Sequence, residues 1–324
     1  MDIARGDCVI EAVALTKRYG AKLALNGVSF SVAANEVVGL LGLNGAGKTT
    51  TMNILAGYLG ASSGTARIAG YDVVENSMEA RKLVGYLPEQ PPLYLDMTVE
   101  EYLRFVFKLY RLEGSMSQRI ARVSELTGIA DVRGRLIRNL SKGYRQRVGI
   151  AQAVLPEPKV LILDEPTVGL DPTQIIEIRQ LIREVARDTT VILSSHILTE
   201  VQAVCSRILV LHRGRLVADD TGEGLAEKVH GKSRVTARAR GAEDEVLTAL
   251  RRIPGLLRLE SLGARELGTT DFACEGAEGR DLRVDVFEAL AAANLPLLYT
   301  YGSECSLEEV FLRVIDGDAG GERT

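Results

Sequence analysis

The run Val37-Val38-Gly39-Leu40-Leu41-Gly42-Leu43-Asn44-Gly45-Ala46-Gly47-Lys48-Thr49-Thr50 has the residue types that hold phosphate. Gly42 to Gly47, followed by Lys48 and Thr49, fits the pattern strand, G-x-x-x-x-G-K-[ST], helix. The glycines let backbone N–H groups turn inward with no Cβ in the way, and a helix opening near Gly47 adds its dipole and free amides. Lys48 would reach the β- and γ-phosphates, and Thr49 would offer its hydroxyl to Mg²⁺. A glycine-rich strand-to-helix turn can also be only a tight turn, but the Lys-Thr end and the apolar strand before it favour phosphate. The stretch lacks G-x-G-x-x-G, which weakens a dinucleotide reading.

Two further groups could work on that phosphate. Val160-Leu161-Ile162-Leu163-Asp164-Glu165 reads as a buried central strand with two carboxylates at its carboxyl edge, where such sheets bind ligands. One acid would hold Mg²⁺ and the other would stand beside the attacking water. Thr190 to Ser195 reads as the next strand and ends before His196, whose neutral imidazole could bond a γ-phosphate oxygen. A lone His is more often structural, but this one leaves the same edge of the same sheet.

The elements around these groups follow from periodicity. Val9–Val13 and Val28–Val32 read as antiparallel half-exposed strands, with Thr16-Lys17-Arg18-Tyr19-Gly20 as a turn between them. Thr50 to Leu59 reads as a helix, and Gly64 to Asp72 as a hairpin. Val84 to Leu87 is a strand stopped by Pro88, leading to an extended loop, Glu89-Gln90-Pro91-Pro92-Leu93-Tyr94, that either packs back on the core or offers a patch to a partner. Residues 98–155 read as helical throughout, opened by a capping box at Thr98 and Glu101. Ile208 to Val217 closes the domain as a hairpin.

From about residue 233 the pattern becomes βαββαβ, the split ferredoxin-like order, followed by a capped helix from Ser306 and a charged, Gly-rich tail over 317–324 read as disordered. We therefore expect an α/β nucleotide-binding domain over 1–225 with a helical insert at about 98–155, and a small α+β domain over 226–316. No catalytic constellation stands out in the second domain.

The whole chain sets bounds. Its 324 residues, 46% of them apolar, suffice for two cores. A net charge of -4 gives no global attraction to nucleic acid or anionic lipid. Arg111 to Arg147 carries nine Lys or Arg against three acids, yet without interleaved aromatics this reads as a solvated face. Cys8, Cys205, Cys274 and Cys305 are far apart and suggest reduced thiols rather than zinc or disulfides. No signal peptide and no run of about 18 apolar residues occurs, so a cytoplasmic protein is expected.

Over roughly residues 8–220 the chain resembles the ATP-binding subunits of ATP-binding-cassette (ABC) transporters. Tyr19 matches the aromatic position that stacks on adenine, and Gly42, Leu43, Asn44, Gly45, Ala46, Gly47, Lys48 and Thr49, with Thr50 after them, match the P-loop. Gln90 matches the glutamine that senses Mg²⁺ and the γ-phosphate. Leu140-Ser141-Lys142-Gly143-Tyr144 matches the signature, usually L-S-G-G-Q, with Lys142 and Tyr144 as departures and Ser141 and Gly143 kept. Asp164 and Glu165 match the Mg²⁺ carboxylate and the general base, Gly169-Leu170-Asp171 the loop that crosses the dimer interface, and His196 the switch histidine.

The resemblance implies a P-loop NTPase fold of mixed sheet, antiparallel β subdomain and helical insert, with Thr49, Gln90 and Asp164 as metal ligands. It implies ATP and Mg²⁺ as cofactors and a second cassette, identical or homologous, supplying Ser141 and Gly143 in trans. It also implies a separate membrane permease and a place on the cytoplasmic face of the membrane. The Ser-Lys-Gly-Tyr-Arg-Gln-Arg form and the Ser-Leu-Glu-Glu-Val-Phe ending are similar to the ABC-2 exporters, a drug and gliding-motility group. The rival, a soluble ABC ATPase acting on ribosomes or DNA, lacks here the second cassette or coiled-coil insertion that such proteins carry. No nucleic acid is expected as a partner.

Overall fold

The computed structural model describes residues 8–229, 234–264, 266–276 and 281–303. The helix expected from Ser306, the tail and Cys305 lie outside these. The chain divides into two compact units at Thr221/Gly222. The sequence boundary after residue 225 instead falls inside the helix Gly222–Val229.

Chain order in the first unit begins with β1 (Cys8–Tyr19), β2 (Lys22–Ala33), β3 (Val37–Leu41), α1 (Lys48–Leu55), β4 (Ser63–Ile68), β5 (Tyr71–Asp72), α2 (Ser77–Lys82) and β6 (Val84–Leu87). It continues with α3 (Val99–Leu109), α4 (Met116–Leu126), α5 (Lys142–Val154), β7 (Val160–Leu163), α6 (Pro172–Val185), β8 (Thr190–Ser195), α7 (Leu198–Gln202), β9 (Arg207–His212) and β10 (Arg215–Asp220). One sheet runs β10-β9-β3-β8-β7-β6, parallel except for the β9–β10 hairpin. A second, antiparallel sheet runs β2-β1-β4-β5.

The parallel register aligns the carboxyl ends: Leu41 pairs with Ser195, Leu163 with Leu193 and Leu87 with Leu163. Everything that follows β3, β6, β7 and β8 therefore emerges along one edge, which is how the P-loop, the paired acids and His196 reach one place. Leu40, Ile162, Ile192 and Leu209 of this sheet share one buried cluster with Ile10, Phe30 and Ile68 of the other, and with Met52, Ile54 and Leu55 of α1. Burying such side chains contributes about 1.5–3 kcal/mol each.

Two expectations are corrected. Thr16 to Tyr19 is not a turn: β1 continues to Tyr19, which pairs with Lys22, and the chain reverses at Gly20-Ala21. The ladder to β2 holds Lys17 to Tyr19 extended, with β4 pairing as far as Thr16, where the local composition suggests a turn. The insert is also not helical throughout. It breaks after Leu109 and again after Leu126, where Gly114 and Gly128 take φ of +89° and +63°, and short 3-10 turns at Ala130–Val132 and Ile137–Asn139 precede α5. Its capping box does form, with Thr98 N donating to Glu101 Oε2 at 2.8 Å and Glu101 N to Thr98 Oγ1 at 3.2 Å.

The second unit holds α8 (Gly222–Val229), β11 (Arg234–Arg240), α9 (Glu243–Leu250), β12 (Leu256–Gly263), β13 (Thr269–Gly276), α10 (Arg283–Ala292) and β14 (Leu297–Ser303). Its antiparallel sheet runs β12-β13-β11-β14, with Val235, Ala237, Phe272 and Cys274 packed against Val246, Leu250, Val286 and Leu290 of the helices. Burial pushes the Cys274 thiol up to about 12.

Candidate functional site

The loop after β3 is held open by its backbone. Gly47 has φ +113°, and a Cβ there would meet Leu25 Cδ2 at 2.6 Å and Ala24 O at 2.9 Å, so no larger residue fits. Ala46 N donates to Leu43 O at 3.0 Å, and Gly214 N from the β9–β10 turn donates to Ala46 O at 2.9 Å. The loop and the start of α1 border a cleft of about 490 Å³. Among its lining residues are Tyr19, Lys22, Ala24, Asn44, Gly45, Gly47, Lys48, Thr49, Thr50, Glu89, Glu165, Val168 and His196.

At the floor lies a chain of charges. The Lys48 ammonium, in a residue 5% exposed, donates to Gly42 O at 2.7 Å and stands 3.2 Å from Glu165 Oε1. The other oxygen, Glu165 Oε2, is 2.9 Å from His196 Nδ1. A carboxylate only accepts, so Nδ1–H donates there and the neutral ring keeps Nε2 as an acceptor. That suits a bond from water. A bond from Nε2 to a phosphate oxygen would need the imidazolium or the other tautomer.

Ser194 ties the two acids together. Its Oγ donates to Asp164 Oδ1 at 2.5 Å and accepts from Glu165 N at 2.9 Å. Burial lifts the Asp164 carboxyl above the ordinary range, and bonds from Ser194 and Thr49 offset part of that lift. The Thr49 hydroxyl is near enough to this buried carboxylate to favour its charged form, and the two are a hard oxygen pair of the kind Mg²⁺ takes, so these residues fit that ion.

The structure thus brings together Tyr19, the P-loop, Lys48, Thr49, Thr50, Asp164, Glu165 and His196. The ring of Tyr19 is half exposed, with Lys17 Nζ 5.4 Å from its centroid. Gly42 takes part through its carbonyl, Ala46 is buried beneath the loop, and the Leu43 side chain is exposed.

Gln90 is placed outside this cleft. It lines a neighbouring groove of about 540 Å³ with Pro91, Pro92, Leu93 and Leu95, while the preceding residue, Glu89, lines the cleft. Glu89 and Gln90 form a bend beyond Pro88, and of the two only Glu89 lines the cleft. We expect Glu89→Ala to lower Mg-ATP turnover by about tenfold and Gln90→Ala to leave it within about threefold, read by phosphate release. The reverse order would restore Gln90 as the sensor.

Ser141, Gly143 and Asp171 lie away from this chain's own cleft. Ser141 caps α5, accepting from Tyr144 N at 3.3 Å, and Asp171 caps α6, accepting from Gln174 N at 2.9 Å. Gly143 is buried under the Gln174 side chain, which packs the two helix starts together. The Tyr144 hydroxyl bonds Asp131 Oδ2 at 3.2 Å. Sequence reasoning missed Lys22, Glu89, Val168 and Ser194. Only Ser194 left a signal: a hydroxyl residue at the end of an apolar strand.

A family model described as "ABC transporter" matches residues 25–168. The chain is 39% identical over 222 residues to the "Probable multidrug ABC transporter ATP-binding protein YbhF" of Escherichia coli (strain K12), covering 68% of this chain but only 38% of that one. It is 30% identical over 308 residues to the "Linearmycin resistance ATP-binding protein LnrL" of Bacillus subtilis (strain 168), covering 94% of this chain and 98% of that one. A solved "Structure of ATP binding subunit of ABC transporter" superposes with TM-score 0.62 at 32% identity, over 68% of this chain and 93% of that one. With its P-loop, paired carboxylates and histidine gathered at one sheet edge, the chain belongs to the ABC transporter family, as one of its ATP-binding subunits.

Proposed function

We propose that this chain hydrolyses ATP as half of a two-cassette sandwich, driving export through a separate membrane permease from the cytoplasmic face. The observation that carries this reading is an asymmetry within one chain. Lys48, Glu165 and His196 share a cleft that Ser141 and Gly143 do not line. A second cassette, identical or homologous, completes each cleft by bringing its signature over the nucleotide.

Within the cleft Tyr19 stacks on the base, the P-loop amides and Lys48 hold the phosphates, and Glu165 accepts a proton from the attacking water. Thr49 and Asp164 would hold Mg²⁺, which when bound would supply positive charge to the phosphate oxygens. His196 keeps the Glu165 carboxylate turned toward the cleft through its 2.9 Å bond.

Export is favoured by the drug-resistance names of the relatives. The permease has a candidate seat in the groove beside Gln90, Pro91, Pro92 and Leu93, which adjoins the cleft through Glu89. Tyr94 is anchored there by edge-on contacts to Tyr102 and Phe105, ring centroids 6.0 and 5.3 Å apart. Basic residues of the insert are largely paired, Arg104 and Arg133 with Glu100, Arg138 with Asp96 and Arg119 with Glu157, which favours a solvated face over a nucleic-acid one. No helix among the described residues is long and apolar enough to cross a membrane.

The test is gentle solubilisation of membranes carrying the tagged full chain. Co-isolation of a multi-span membrane protein is the expected result. Recovery of the cassette alone, with ATPase activity intact, would leave the enzyme and remove the transport role.

A further inference from the structure

Behind the cleft lies a buried carboxylate that the hydrolysis reading does not use. Glu200, on α7, is only 8% exposed. A carboxylate out of water is costly unless its oxygens are bonded, so its partners are informative. Thr167 Oγ1 donates to Glu200 Oε2, and Ser195 Oγ donates to the same oxygen at 3.3 Å. Ser195 Oγ in turn accepts from Ile197 N at 3.0 Å.

These contacts flank both reacting groups. Thr167 is two residues beyond Glu165, and Ser195 and Ile197 stand on either side of His196. The helix carrying Glu200 is itself fixed against β3, the strand that feeds the P-loop: a Cβ on Gly39 would lie 2.0 Å from Val201 Cγ1, so α7 rests on bare backbone. One oxygen therefore connects the turn after β7 to the last residue of β8, from a helix wedged on the strand between β8 and β9.

Such a connection matters because Glu165 is strained. It has φ +49°, a left-handed conformation that persists in a non-glycine residue only where its surroundings impose it. Ser194 holds its amide, and the Thr167 bond holds the turn two residues on. His196, with its side chain 41% exposed, has its 2.9 Å bond to Glu165 and the backbone clamp of Ser195 and Ile197.

We infer that Glu200 is a positioning residue for ATP hydrolysis, clasping Thr167 and Ser195 so that the Glu165 and His196 side chains stay in mutual contact. The inference rests on the roles proposed above for those two side chains. Glu200 is not among the residues that line the cleft, and its effect passes through the geometry of the pair.

The experiment measures single-turnover phosphate release, KM for ATP and thermal melting on the full chain. It compares wild type with Glu165→Gln, His196→Ala, Glu200→Ala, Glu200→Gln and Glu200→Ala in the His196→Ala background. We expect Glu200→Ala to slow turnover about 100-fold while KM stays within about threefold, as for a misplaced reacting group. Glu200→Gln, whose amide oxygen can still accept from both hydroxyls, should recover most of that loss. Since the clasp acts through His196, Glu200→Ala should add less than about threefold to the His196→Ala defect.

Turnover unaffected by Glu200→Ala, losses that multiply with His196→Ala, or a Gln variant as slow as the Ala variant would each overturn the clasp. Where Glu200→Ala melts before assay, Thr167→Val decides. It is close in shape, removes one donor and should show the same KM-neutral slowing, whereas wild-type turnover in Thr167→Val would overturn the proposal. Glu165→Gln separates the two levels: slow Glu165→Gln with normal Glu200 and Thr167 variants removes the clasp alone, while wild-type turnover in Glu165→Gln removes the base assignment and the clasp with it.

Discussion

With Mg-ATP, the Glu165→Gln chain is expected to scatter as a particle of about 70 kDa, twice its 35.1 kDa protomer, and to return to the protomer mass when nucleotide is removed. The amide keeps the size of the carboxylate and can still bond His196 Nδ1–H through its oxygen, so the cleft retains its shape. It cannot take a proton from water, so turnover should fall by about 1,000-fold while ATP stays bound. Bound ATP also gains from losing a negative charge beside the phosphates, because Glu165 lies at 3.2 Å from Lys48 and therefore in reach of the same anion. Size is read by light scattering after gel filtration. A chain that stays at protomer mass with ATP bound would mean that Lys142 and Tyr144 have cost the signature its contact in trans, or that the second cassette is a different chain.

Lys48→Ala should have the opposite effect, with ATP affinity reduced by about 100-fold or more and no dimer with Mg-ATP. The ammonium is buried, so its charge acts with little screening by water, and it is the cation placed between the Gly42 carbonyl and Glu165. Its removal also leaves Glu165 buried with His196 as its remaining charge-capable partner, which costs about 3–5 kcal/mol where a buried pair loses one member. Part of the loss would then appear as a lower melting temperature. Fluorescent-nucleotide titration with melting on the same sample separates the two: unchanged affinity in a chain with a normal melt would remove Lys48 from the phosphate site.

Much of the site was legible because it is local. The spacing from Gly42 to Thr49 specifies a turn that only small residues can make, and the structure builds that turn with Gly47 at φ +113°. The apolar runs ending at Leu163 and Ser195 announced buried parallel strands, and a parallel sheet forces the residues after them to one edge. Register then brought Asp164, Glu165 and His196 to the P-loop with no further information needed.

What depended on distant partners was not legible. Thr16 to Tyr19 has the composition of a turn, but the ladder to β2, with β4 reaching Thr16, holds it as strand. After Pro88 both Glu89 and Gln90 are loop residues by type, and only the packing places Glu89 on the cleft while both line the neighbouring groove. Ser194 reads as an ordinary strand end, and nothing in the sequence singles out Glu200. Their bonds to Asp164 and Thr167 span 30 and 33 residues. By itself the sequence determined a glycine-rich turn ending on a lysine and a threonine, and a buried strand ending on two acids, because backbone turns and strand periodicity are properties of short segments. The tertiary structure decided which carboxylate meets the histidine, which loop residue enters the cleft, and that the signature lies outside it. Those outcomes are set by hydrogen bonds and packing between segments that meet only once the sheet has formed.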